Sequence, residues 1–162
     1  MILIGLGANL PSSAGDPPAT LAAALAALTE AGIGVERRSP WYRTAPVPAG
    51  DQPWYINGVA VVGTDLGAVE LLAVLHRIEA RFGRIRRTPN EPRSLDLDLL
   101  DYDGLVRREA PVLPHPRLHQ RAFVLFPLRD VAPGWRHPVS GAGAAELIAA
   151  LPPDQQIERL GG

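Results

Sequence analysis

Residues 94–102 read Ser-Leu-Asp-Leu-Asp-Leu-Leu-Asp-Tyr. Leucine and aspartate alternate from Leu95 to Leu99, the period of a strand with one apolar and one acidic face. Asp101 and Asp103 break that phase at Leu99-Leu100 and read as turn residues. Immediately upstream, residues 84–93 (RIRRTPNEPR) carry four arginines and two prolines, which predicts a mobile basic loop. Before the loop, residues 68–82 place Leu71, Leu72, Leu75 and Ile78 on one helical stripe, and Gly83 ends it.

Further toward the N-terminus, residues 55–62 read as a strand with Tyr55, Asn57, Val59 and Val61 on one face. Residues 33–38 predict another strand. Residues 20–31 predict a helix with Leu21, Leu25 and Leu28 on one face, and residues 2–6 a buried strand that stops at Gly7-Ala-Asn. Residues 11–18 and 44–53 are too rich in proline and glycine for regular structure and are read as loops. The second is long for a compact domain, which marks it as functional. Downstream, Asp103-Gly104 signals a turn into a hairpin partner around residues 105–108. Short helices are expected at 121–128 and 143–151. The order is strand, helix, strand, strand, helix, strand, then C-terminal additions. That is the split βαβ pattern, an α+β ferredoxin-like βαββαβ core with an antiparallel sheet.

Composition bounds the chemistry. The chain has 162 residues, 46% hydrophobic and 20% charged, and is expected to form one domain over 1–162 that buries about 70% of its unfolded surface. A formal net charge of −1 argues against chain-wide affinity for nucleic acid or anionic membrane. With no cysteine, disulfides and thiolate chemistry are excluded. All 16 basic residues are arginine, which removes Schiff-base chemistry and favours forked recognition of phosphates. Met1-Ile-Leu-Ile is apolar, but Gly5 interrupts it too early for a signal or membrane span, so a cytoplasmic protein is expected.

Three features carry chemistry. Asp96 and Asp98, at i and i+2 of a strand, project from one face with Cα atoms roughly 7 Å apart. Two such carboxylates repel unless a cation lies between them, and magnesium bridging phosphates is one solution. The solvated face of an edge strand gives the same alternation. Arg84, Arg86, Arg87 and Arg93 lie close upstream in sequence, so cations and metal ligands come together as phosphoryl transfer needs. A solvated basic loop is the plainer reading of that run alone. Asn57 offers a donor and an acceptor to the edge of a heterocycle, and Tyr55 or Phe123 could stack on such a ring. His115 sits between two prolines and could act as a phosphate donor or acid–base group. The spacing of His76, His119 and His137 does not suit metal ligation.

The segments YRTAPVPAGDQPWYINGVAVV (42–62), HRIEARFGRIR (76–86), PRSLDLDLLDY (92–102) and PHPRLHQRAFVLFPLRDVAP (114–133) resemble the 6-hydroxymethyl-7,8-dihydropterin pyrophosphokinases of folate biosynthesis, and GLGANL (5–10) matches their first strand end. The resemblance implies a ferredoxin-like fold and transfer of the β,γ-diphosphate of ATP to the pterin hydroxymethyl group, releasing AMP. It implies that Asp96 and Asp98 ligate two magnesium ions. Arg84, Arg86, Arg93, His115 and Arg121 are then phosphate contacts, with Arg84 on a mobile catalytic loop, and Glu79 supports the nucleotide site. Asn57 reads the pterin edge, Tyr55 and Phe123 enclose the ring, and the backbone from Thr44 to Val47 completes the pocket. ATP and a reduced pterin are the expected partners of a monomer. The chain departs from the family pattern at Asn90-Glu91, where members carry Trp-Gly, and at His76 and Pro116.

Overall fold

The computed structural model describes residues 1–46, 53–83 and 94–160. Strand β1 (Ile2–Ala8) leads to helix α1 (Pro17–Glu30), then β2 (Gly34–Arg38), β3 (Tyr42–Thr44), β4 (Tyr55–Gly63), α2 (Ala68–Arg81) and β5 (Asp96–Tyr102). A 3-10 turn (Leu118–Gln120), α3 (Ala122–Val131), α4 (Ala144–Ala149) and β6 (Ile157–Arg159) follow. The sheet runs β5-β1-β4-β3-β6, with β2 also against β4 and all pairings antiparallel. This is the ferredoxin-like α+β arrangement, with one modification. The second strand position of the core is shared by β2 and β3, which pair with opposite ends of β4 on either side of Ser39-Pro40-Trp41.

Several expectations change. Helix α1 starts at Pro17, not at residue 20, because Pro17 and Pro18 occupy its first turn, where no intrahelical donor is needed. The Asp16 carboxylate caps it by accepting the Ala19 N–H at 3.0 Å. Residues 42–44, partly read as loop, form an edge strand because β4 and β6 flank them. The hairpin partner at 105–108 does not form. Asp103-Gly104 does turn, with φ values of 52° and 75°, but Arg107 then pairs with Leu113. The outer edge of β5 is taken instead by His115, whose N–H donates to the Leu100 carbonyl at 2.9 Å. Helix α3 runs past residue 128 to Val131 despite Pro127. Residues 47–52 and the predicted basic loop at 84–93 lie outside the described residues.

Two apolar layers sandwich the sheet. On one face Ile4, Leu6, Ala60, Val62, Leu97 and Leu99 pack against Leu21 and Leu28 of α1 and Leu71 and Leu75 of α2. On the other, Leu3, Val59, Val61 and Leu100 pack against Val124, Leu125 and Leu128 of α3. Each such fully buried side chain contributes roughly 1.5–3 kcal/mol of transfer free energy. The parity of β5 changes between Leu100 and Asp101, because Leu100 is the extra residue where the register with β1 slips by one. That bulge lies where the Leu–Asp alternation broke, and it turns Asp101 to the same side of the sheet as Leu100, beside Trp135. It also buries Asp101, which accepts the Trp135 Nε1–H at 2.8 Å and the Gly104 N–H at 3.0 Å. Asp101 is thus a strand residue with a turn contact, while Asp103 is the turn residue and pairs with the N-terminal ammonium at 2.8 Å.

Candidate active site

The α3 face of the sheet is filled with apolar side chains at one end and left open at the other. The open end begins at Gly5 and Gly7 of β1, flanked by Asp96 and Asp98 of β5 and by Asn57 of β4. Gly7 lies opposite both Asp96 and Asn57, and Gly5 opposite both Asp98 and Val59. Asp96, Gly7 and Asn57 therefore form one row across three strands, roughly 10 Å from end to end at the usual strand spacing. The glycine is required at the middle of that row. A Cβ on Gly7 would stand 2.6 Å from Asn57 Oδ1, so any side chain there would displace the amide. Above the row is a cleft of about 710 Å³, within the size range of sites for drug-sized ligands.

One end of the cleft is shaped for a flat polar ring. Asn57 is 6% exposed and Thr44 3%, and Asn57 Nδ2 donates to Thr44 Oγ1 at 2.7 Å. This bond fixes the amide plane. Tyr55, Phe123, Ala45 and Pro46 complete the walls. Val47, expected to join them, lies outside the described residues. Asn9 Nδ2 donates to the Pro53 carbonyl at 3.1 Å, anchoring the chain where it enters β4.

The other end is ionic. Asp96 and Asp98 line it with Arg117 and Arg121. His115 is beside them, its backbone N–H on the Leu100 carbonyl at 2.9 Å. Burial, helped by the charges of Arg121 and Arg117 and opposed by Asp96, pushes its imidazole down to about 4. At neutral pH the ring is therefore uncharged. Its Nδ1 accepts the Arg117 backbone N–H at 3.3 Å, so Nε2 carries the proton and is a donor. Arg121 also stacks on Phe123, with its Cζ 5.2 Å from the ring centre, and so joins the two ends of the cleft.

Glu79 occupies a different place. It is 1% exposed, on the α2 side, and its Oε2 accepts the Leu97 N–H at 2.8 Å. It holds the strand bearing the two aspartates and is absent from the cleft lining. Arg84, Arg86 and Arg93 lie outside the described residues. Among the described residues, no group of three or more His, Cys, Asp or Glu side chains converges on a metal-sized site.

Residues 152–156 were not singled out in the sequence, yet Pro152, Asp154, Gln155 and Gln156 line the cleft. They arrive there because β6 pairs with β3 and the Ala45 N–H donates to the Gln156 carbonyl at 3.1 Å. No local motif marks them, since the pairing joins segments more than 100 residues apart in sequence. Gly5 and Gly7 had a signal, two glycines in a core strand, which marks close approach of a ligand or side chain.

An α+β ferredoxin-like sheet carries a carboxylate–arginine end and an amide–aromatic end in one cleft, a polarity that suits an anionic group at one end and a flat polar ring at the other. Comparison with known proteins narrows that reading. Residues 3–133 match the family described as 7,8-dihydro-6-hydroxymethylpterin-pyrophosphokinase (HPPK), and the chain belongs to this family. Proteins named 2-amino-4-hydroxy-6-hydroxymethyldihydropteridine pyrophosphokinase are similar in Synechocystis sp. and Methylorubrum extorquens. The first is 43% identical over 148 residues, covering 90% of this chain and 73% of that protein. The second is 41% identical over 159 residues, covering 97% and 96%. In solved structures the fold resembles Plasmodium falciparum HPPK-DHPS, with a TM-score of 0.71 at 15% identity. That match covers 92% of this chain and 44% of the solved one, so this chain spans under half of that protein.

Proposed function

We propose that this cleft is where the chain transfers the β,γ-diphosphate of ATP to the hydroxymethyl group of 6-hydroxymethyl-7,8-dihydropterin, releasing AMP, as a step of folate biosynthesis. The chain is an ATP-dependent pyrophosphokinase, with ATP and the reduced pterin as small-molecule substrates. The observation that carries the assignment of the site is the row from Asp96 through Gly7 to Asn57. It gives one cleft a phosphate end and a heterocycle end with unobstructed backbone between them.

Asn57, held by Thr44, reads the pterin edge, while Tyr55 and Phe123 enclose the ring and the backbone to Val47 closes it. The hydroxymethyl oxygen then points along the Gly7 floor toward Asp96 and Asp98. It attacks the β-phosphorus, the bond from that phosphorus to the AMP bridging oxygen breaks, AMP leaves with that oxygen, and the hydroxyl proton passes to solvent. Arg121, Arg84, Arg86 and Arg93 neutralise and align the phosphates with their forked donors. His115 contributes an uncharged Nε2–H donor. Glu79 serves by holding β5 in register.

Asp96 and Asp98 suit a hard divalent cation. They are partly exposed carboxylates on one strand face beside a roomy cleft, and magnesium takes one or two carboxylates and fills its shell with phosphate oxygens and water. The pair would hold two magnesium ions, which when bound supply charge neutralisation and alignment of the transferred group. The reading takes residues 1–162 as a single catalytic domain acting as a cytoplasmic monomer, without nucleic acid or membrane. No helix among the described residues is long and apolar enough to cross a membrane.

A non-catalytic ferredoxin-like module that only binds a nucleotide is disfavoured, because binding alone does not require paired carboxylates beside the phosphate site. AMP release from ATP, with and without the pterin, tests the assignment. Pterin-dependent AMP is expected. Pterin-independent hydrolysis, or intact ATP under both conditions, contradicts it.

A further inference from the structure

We propose that Gln155 is a positioning residue for the phosphate end of the cleft, setting the direction of Arg121. The inference rests on the reading of Arg121 as a phosphate contact. Arg121 is the residue between the 3-10 turn and α3, with extended backbone (φ −115°, ψ 111°) and no side-chain cap. Its carbonyl accepts the Val124 and Leu125 N–H groups at 3.1 and 3.0 Å, while the Ala122 N–H, in the first turn of α3, needs an acceptor from outside the helix.

The side-chain amide of Gln155 straddles Arg121. Gln155 Oε1 accepts the N–H of Ala122 at 2.8 Å, and Gln155 Nε2 donates to the carbonyl of Gln120 at 2.9 Å. The two backbone groups held are the ones immediately before and after Arg121, so the amide acts as a peptide-like splint across the residue. Gln155 is itself fixed from behind. The neighbouring Gln156 carbonyl receives the Ala45 N–H, and residues 157–159 pair with β3. The C-terminal segment thereby connects the wall of the ring pocket, through Ala45, to the backbone of Arg121, whose guanidinium lies over the Phe123 ring in the cleft that Asp96 and Asp98 also line. The contact is made by a side chain to main-chain atoms, so the identities of Gln120 and Ala122 do not disclose it.

The test is a cycle of variants at Gln155 and Arg121, read by calorimetric affinity for the α,β-methylene analogue of ATP, with thermal melting as the fold control. Gln155→Ala is expected to weaken the analogue about tenfold, in keeping with two lost hydrogen bonds. Gln155→Met keeps the bulk of the side chain without either bond and should lose as much. In an Arg121→Ala background, neither change at Gln155 should weaken the analogue further, since the residue it positions is gone. Wild-type affinity in Gln155→Met would leave Gln155 as packing, and the same tenfold loss with and without Arg121 would make it a cleft contact independent of Arg121; either result overturns the proposal. An Arg121→Ala protein with undiminished affinity would instead remove the premise, and the positioning role with it.

Discussion

Glu79 Oε2 accepts the backbone N–H of Leu97 at 2.8 Å, and Leu97 is the residue between Asp96 and Asp98. A buried carboxylate on the far side of the sheet therefore fixes the pitch of the strand that presents the two cleft carboxylates. The same bond occupies an outer-edge donor of β5, and the His115 N–H occupies the Leu100 carbonyl, so the edge is covered both before the bulge and at it.

Glu79→Ala leaves the Leu97 N–H buried without that acceptor and should lower stability by about 1–3 kcal/mol. Turnover should fall with it, because the aspartates lose their reference. Glu79→Gln retains an acceptor oxygen and should recover most of the stability. Urea unfolding of the three proteins checks this, and equal midpoints would show that the bond does not hold the strand.

Asp96→Ala and Asp98→Ala should each abolish AMP formation while keeping the folded far-UV spectrum and melting temperature close to wild type. Removing one of two like charges on a partly exposed strand face relieves repulsion and leaves the apolar layers intact. Near-normal turnover of either variant at saturating magnesium would refute the metal role.

Asn57→Ala should weaken pterin binding by about 1–3 kcal/mol and leave ATP affinity nearly unchanged, because the ring loses its paired edge. Gly7→Ala should give a milder version of the same defect by pushing Oδ1 aside. Calorimetry with each ligand separately decides the matter. Equal losses for ATP and pterin would contradict the division of the cleft.

His115 should titrate near 4 in the free protein, by proton NMR of the imidazole. Its folded pKa lies below the ordinary 6.5, so the unfolded chain binds the proton more readily. The stability linked to this group is therefore complete above pH 6.5 and is lost as the pH falls toward 4. His115→Asn should flatten that part of the stability profile. Bound phosphates should move the titration upward, since an anion favours the imidazolium. A ring that titrates at 6.5 in the free protein would mean that it is neither buried nor close to Arg121.

Arg84→Ala should change ATP affinity by less than about tenfold, or 1.4 kcal/mol, and slow the chemical step by considerably more. A cation that meets charge developing during transfer contributes mainly to the transition state. Single-turnover kinetics beside equilibrium binding separate the two effects. Normal chemistry with lost ATP binding would make Arg84 a static clamp.

The core order was legible because β1, α1, β2, β4, α2 and β5 each carry their own period or cap in consecutive residues. The Leu99-Leu100 break disclosed the bulge. What escaped were features made by pairing across the chain. Residues 42–44 are a strand only because β4 and β6 flank them, and the lining from Pro152 to Gln156 depends on the same pairing. The hairpin expected at 105–108 failed for a related reason: a turn signal specifies the turn, while the edge of β5 that a partner strand would need is taken by the distant His115 N–H on the Leu100 carbonyl. Within the site, Asp96, Asp98 and Asn57 were legible from strand parity and residue chemistry, and the structure brings Asp96 and Asn57 into one row across Gly7, with Asp98 on the same face opposite Gly5. The position of Glu79 was not, since its carboxylate engages a backbone atom that no sequence pattern records.

The most direct measurement of the central claim is a crystal structure with an unreactive ATP analogue, magnesium and the pterin bound together. The expected complex has the pterin amide edge on Asn57, its hydroxymethyl oxygen over Gly7, and magnesium on Asp96 and Asp98 between that oxygen and the β-phosphate. A pterin seated away from Asn57, or phosphates held without contact to either aspartate, would contradict it.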